Sequence, residues 1–239
     1  MAQNEPIDSA AKTPELIQRF SVQARVQHVF MFVSVIILVV TGIPLWCLAR
    51  PEYIWWKQEL NGYIELIRFF HQLGAIILIA VSVYHTLYTI FSREGRREFI
   101  LLLPYPKDFL DVMQNSLYFL GLSKERPKFG RYTYFEKFDY WAVYWGCVIM
   151  IGTGIVLWFD KWAAQYLAWL PYKLSADIHA DEAILCALAL FIWHFYNVHY
   201  KPSRFPGTML WWHGNMTRHE MEEEHPLELE EIEAAKEVK

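Results

Sequence analysis

Cysteine is scarce, and its placement excludes most metal and redox chemistry that depends on thiols. The three cysteines, Cys47, Cys147 and Cys186, each sit in an apolar segment. No CxxC occurs, and no CxxCH, which excludes the usual covalent attachment of a c-type haem. Three thiols are too few for an iron–sulfur cluster, so they read as small packing residues. Broad positive charge is also lacking. A net charge of −4 offers no basic surface for nucleic acid. Repeats of 20–50 residues, the mark of solenoids and propellers, are not seen. The N-terminal stretch MAQNEPIDSAAKTPELIQRF is polar and has no signal-peptide pattern. The apolar run that starts near residue 26 is therefore expected to remain as a membrane anchor.

Apolar sequence is abundant. Over 239 residues, enough for one domain, the chain is 54% hydrophobic and 17% aromatic, high for a soluble protein. Four runs read as membrane helices, at about 24–47, 64–91, 138–159 and 177–200. Each approaches or exceeds the roughly 20 residues needed to cross hydrocarbon. The fourth is the least apolar, because Asp181 and Glu182 interrupt its start; they are expected near an interface. The expected fold is an all-α integral membrane protein, a four-transmembrane-helix bundle.

Loop charges orient it. The 92–137 connection carries Arg93, Arg96, Arg97, Lys107, Lys124, Arg126, Lys128, Arg131 and Lys137. The other two connections hold only Arg50 and Lys57, and Lys161 and Lys173. The positive-inside rule places the basic loop, and with it the N- and C-termini, in the cytoplasm. Trp46, Trp55, Trp56, Trp158, Trp162 and Trp169 fall near the outer boundary, as an aromatic belt would. An interfacial amphipathic helix is expected around 107–122. The organisation is then a cytoplasmic segment 1–23, a membrane domain 24–206 and an acidic cytoplasmic tail 207–239. The tail reads as a solvated or partner-bound helix, as charge runs usually are. Absence of a targeting peptide with this charge bias suits the inner membrane of a bacterial cell.

Histidine carries the chemistry. Six of nine histidines lie in the spans: His28, His71, His85, His179, His194 and His199. An ionisable side chain in hydrocarbon is costly and marks function by default, and neutral imidazole is the commonest axial haem ligand. His71 and His85, 14 residues apart, share nearly one helix face about 21 Å apart along the axis. His179 and His194, 15 apart, fall about 60° out of line. His71 and His179 share the outer level. His28, His85, His194 and His199 share the inner level, enough for one haem and a quinone site, or for two haems. Spacing alone favours His85 with His194. His199 lies about 140° around the helix from His194 and need not face the same haem. Gly42, Gly74, Gly146, Gly152 and Gly154 would admit a flat macrocycle, or simply let helices pack closely. His213, His219 and His225 read as solvated tail residues.

The ordered set RVQHVFMFVSVIILVVTGI, FFHQLGAI, KFDYWAVYWGCVIMIGTGIVLWF, DIHADEAIL and WHFYNVHYKP resembles the cytochrome b (gamma) subunit of membrane-bound formate dehydrogenases, over about 18–206. Related cytochrome b subunits of hydrogenases and thiosulfate reductases share the pattern. The resemblance implies two b haems, an outer one on His71 and His179 and an inner one on His28 and His194. His85 and His199 are extra to that pattern and imply either a third haem or a role in quinone protonation. The fourth-helix spacing is one residue longer than the family's usual 14. RYTYFEKFDYW replaces the family's Asn- and Gly-containing segment near its quinone, which leaves Glu136, Lys137 and Asp139 as candidates for proton delivery.

The expectation is a membrane haem b electron-transfer subunit of a respiratory oxidoreductase complex. Electrons would pass between a periplasmic iron–sulfur or multihaem cytochrome subunit and menaquinone near the cytoplasmic face. The substrate site would lie on another, catalytic, chain. The rivals are a non-haem membrane anchor, a proton-pathway protein using the intramembrane histidines, and a stand-alone transmembrane reductase.

Overall fold

The computed structural model describes residues 15–167, 170–202 and 204–237. Trp169 and the side chains of Trp55 and Trp56 lie outside the described residues, as do residues 1–14 of the N-terminal segment. The chain opens with a short strand, β1 (Leu16–Gln18), and the first span, α1 (Val22–Leu48). Ser21 starts α1 by accepting a hydrogen bond from the Ala24 amide, a standard N-cap. A short α2 (Ile54–Leu60) leads into the second span, α3 (Ile64–Phe91). Ser92 ends α3 and caps α4 (Arg93–Leu101). The turn is so tight that a Cβ on Gly95 would stand 2.3 Å from the Tyr88 carbonyl oxygen, so only glycine fits. Helix α5 (Pro106–Phe119) forms where a helix was expected around 107–122.

The third span, α6 (Tyr134–Trp158), starts four residues before the apolar run suggested. Thr133 and Glu136 form a capping box ahead of it, which winds the polar approach into the helix. After α7 (Asp160–Tyr166), the fourth span begins at Tyr172, directly after Pro171, rather than at 177. It runs as α8 (Tyr172–Leu188) and then continues in wider π-helical turns over Ala189–His194 and Tyr196–Tyr200. All four spans are long and apolar enough to cross a membrane. Phe30, Val40 and Ile43 on α1 and Leu73, Ile76 and Val83 on α3 are exposed on the isolated chain, as lipid-facing residues would be.

Helix α1 packs along α3 and α6 along α8, and α3 with α6 and α1 with α8 close the ring. The two hairpins repeat one another at a period longer than the 20–50 residues of solenoids and propellers. Arg19-Phe20-Ser21 precedes α1 as Arg131-Tyr132-Thr133 precedes α6. Thr41-Gly42-Ile43-Pro44-Leu45-Trp46 matches Thr153-Gly154-Ile155-Val156-Leu157-Trp158. Both correspondences share one offset of 112 residues. In the second helices of the hairpins, His71 matches His179 and His85 matches His194. The fourth span carries one more residue between its histidines, and it contains the π-helical stretch that can take up such an insertion.

The acidic tail is folded onto the bundle end rather than solvated. Strand β2 (Asn215–Thr217) follows a short α9 (Leu210–His213) and pairs antiparallel with β1, matching Ile17 to Met216. Helices α10 (Arg218–Glu224) and α11 (Pro226–Glu237) complete it. Ile17, Leu210, Met216, Met221 and Leu229 form a buried core, with Phe20 and Ile232 against it. Both described ends of the chain thus meet at one end of the bundle. His225, expected in solvent, is 1% exposed. Its Nδ1–H donates to the Gly130 carbonyl at 2.8 Å, and burial pulls its pKa down. The glutamates conceal an apolar face, which is why charge counting misread the segment.

Candidate haem-binding site

Four histidines form two pairs, one at each level of the bundle. At the outer level the ring centroids of His71 and His179 lie 6.4 Å apart. At the inner level those of His28 and His194 are also 6.4 Å apart. Two imidazoles on opposite sides of one metal ion, with bonds of about 2 Å, place their centroids about 6 Å apart. Both pairs fit axial ligation of a haem iron. Along the helices the levels are about 20 Å apart.

The rings are held by hydrogen bonds that settle their tautomers. Thr41 Oγ1 donates to the Ile37 carbonyl at 2.6 Å, which leaves its oxygen to accept from His71 Nδ1–H at 2.9 Å. Thr153 does the same between the Ile149 carbonyl, at 2.7 Å, and His179 Nδ1–H, at 2.8 Å. With Nδ1 protonated, Nε2 of each ring keeps its lone pair for a metal. His194 Nδ1–H instead donates to Asp139 Oδ2 at 3.1 Å. A carboxylate at that position makes the imidazole a more basic ligand than a threonine does.

The glycines divide by role. A Cβ on Gly42 would stand 3.4 Å from His71 Cε1, and one on Gly154 would stand 3.3 Å from His179 Cε1. These two let the rings lie against a neighbouring helix. Gly74 meets Ile37 and Leu38, and Gly146 meets Cys186 and Glu182, so both serve close helix packing. Glu182, expected near an interface, accepts from the Cys186 thiol at 3.3 Å within the α6–α8 seam. Gly152 has nothing within 4 Å of its Cβ position.

The remaining candidates sit apart from the two pairs. His85 has both ring nitrogens engaged: Nδ1–H donates to Gln27 Oε1 at 2.8 Å, and Nε2 accepts from the Tyr140 hydroxyl at 3.0 Å. His28, not His85, faces His194. His199 packs on the Phe195 ring, and a Cβ on Gly207 would meet its Nδ1 at 2.9 Å. Among the described residues no ring contact joins His85 to His199. Of the proton-delivery candidates, Lys137 is bound to Asp108 at 2.8 Å, and Glu136 caps α6 beside Arg19 and His225. Asp139 alone touches a paired histidine. Thr41 and Thr153 were not among the sequence candidates; both stand in the Thr-Gly-Ile segment that the two hairpins share.

A model of the prokaryotic cytochrome b561 family matches residues 7–103. The match covers the first two spans and includes His28, His71 and His85. It supports a multi-pass membrane cytochrome b that binds haem b and transfers electrons. A comparison with curated proteins finds no match.

Proposed function

We propose that this chain is the haem b electron-transfer subunit of a respiratory oxidoreductase complex, similar to the formate dehydrogenase gamma subunit. The observation that carries the reading is the pair of 6.4 Å histidine couples at two depths of one bundle. His71 and His179 would hold an outer haem, and His28 and His194 an inner one. Haem held there by two histidines would supply one-electron iron chemistry, which favours electron transfer over oxygen chemistry. The protein's own work is to fix the ligand rings, choose their tautomers and keep both sites within hydrocarbon.

The basic 92–137 connection supports an inner level on the cytoplasmic side of a bacterial inner membrane. A groove of about 420 Å³ lined by Val22, Arg25, Val26, Phe30, Trp211 and Trp212 lies on α1 beside the level of His28. Its apolar lining and single cation suit a menaquinone approaching from lipid. A periplasmic iron–sulfur or multihaem cytochrome subunit would dock at the opposite end, and the catalytic site would reside on a further chain.

The test is reduction of the purified chain in proteoliposomes by a menaquinol analogue, followed in the α band of the haem spectrum. Both haems should reduce in the wild type. In His28→Ala the outer haem should remain bound but reduce at least tenfold more slowly. Equal rates would place quinone entry at the outer level and overturn the proposed route.

A further inference from the structure

The inner level contains a second histidine arrangement that the proposed function does not use. The hairpin repeat matches Gln27 with Asp139, His28 with Tyr140, and His85 with His194. The contacts follow the same correspondence. His194 donates from Nδ1–H to Asp139 at 3.1 Å and turns its ring to His28, 6.4 Å away. His85 donates from Nδ1–H to Gln27 at 2.8 Å and turns its ring to Tyr140, 5.8 Å away. One arrangement is therefore built twice, on the seam between α1 and the fourth span and again on the seam between α3 and α6. The second copy has tyrosine where the first has histidine.

That difference decides what each seam can bind. A phenol stays protonated near neutral pH, and here its hydroxyl donates to His85 Nε2 at 3.0 Å. The bond consumes the lone pair that a metal would need. His28 makes no such bond to His194 among the described residues; the two rings stand at the separation of two axial ligands. We infer that Tyr140 is the specificity-determining residue of the inner level: it closes a latent haem site on His85 and thereby assigns the inner haem to His28 and His194. The inference rests on the bis-histidine reading above.

The test moves the site from one hairpin seam to its equivalent in the repeat. Haem per polypeptide is measured by pyridine haemochrome on the purified full-length chain, with the outer haem's low-spin EPR signal as the internal control for folding. His28→Tyr should lower the count from two to one. Adding Tyr140→His should restore two, and adding His85→Ala to that double variant should return it to one. A double variant that stays at one haem with the outer signal intact overturns the inference. The single variant His85→Ala decides independently of whether the exchanged protein folds: two haems agree with the inference, and loss of one overturns it. A wild type without haem would defeat the bis-histidine reading itself, an outcome distinct from all of these.

Discussion

At the scale of single residues, the two histidine pairs differ in what sits behind the ring. Thr41 and Thr153 back the outer histidines with neutral oxygens, whereas Asp139 backs His194 with a carboxylate. A more basic ligand favours ferric iron, so Asp139→Asn should raise the inner midpoint potential and leave the outer one in place. If the ratio of ferric to ferrous affinity changes about tenfold, the shift is about 59 mV for one electron. A redox titration of the two haems checks it, and an unmoved inner wave would sever Asp139 from the inner site. The candidate ligands were legible in the sequence because histidine in hydrocarbon is costly and six such residues fell at two depths. The backing residues were not, because threonine on an apolar helix signals nothing until its partner is known.

At the scale of elements, the fourth span explains where period counting stopped. An unbroken α-helix puts His179 and His194 about 60° out of line. The π-helical turns from Ala189 to His194 take up one residue and bring both rings to the bundle interior. The second span, with 14 residues between His71 and His85, has no need of this and is α-helical throughout. Deleting Leu190 should therefore convert the wide turns to ordinary α-helix and keep two haems, measured by pyridine haemochrome. Deleting Val83 from α3 should rotate the preceding or following turns by about 100° and break the His85–Tyr140 bond or displace His71. A deletion at Leu190 that costs the inner haem would show that the π turns position His194 in some other way. The existence and approximate bounds of all four spans were readable from apolar run length. The starts of the third and fourth were not, because the capping box at Thr133 and the proline at 171 extend helix into polar sequence.

At the scale of the whole molecule, the two halves and both described chain ends are locked together by one buried ionic cluster. Arg19 and Arg131, equivalent in the repeat, each donate to the other's main-chain carbonyl, and both bind Glu228 of the tail. Arg19 is 2% exposed, and burial lowers its pKa while Glu136 and Glu228 oppose that shift. Removing one partner of a buried pair strands the other, at a typical cost of about 3–5 kcal/mol. Glu228→Ala should release the tail, seen as rapid trypsin cleavage after Arg218 in a membrane domain that still spans. Low pH should loosen the same contact. His225 is held neutral by burial beside Arg19, so its pKa is depressed in the folded state, and the stability it contributes is present above about pH 6.5 and lost as pH falls below that. Hydrogen exchange in β2 and α10 should rise between pH 7 and pH 5, and less so in His225→Gln; equal pH dependence would remove His225 as the cause. This closure was not legible in the sequence, since the glutamate run masked Met221, Leu229 and Ile232 as an apolar face. The most direct test of the whole account is the haem content of the purified wild-type chain, by pyridine haemochrome with reduced-minus-oxidised spectra. The account predicts two b haems per polypeptide, both low-spin. A folded chain from haem-replete cells that carries none would contradict it.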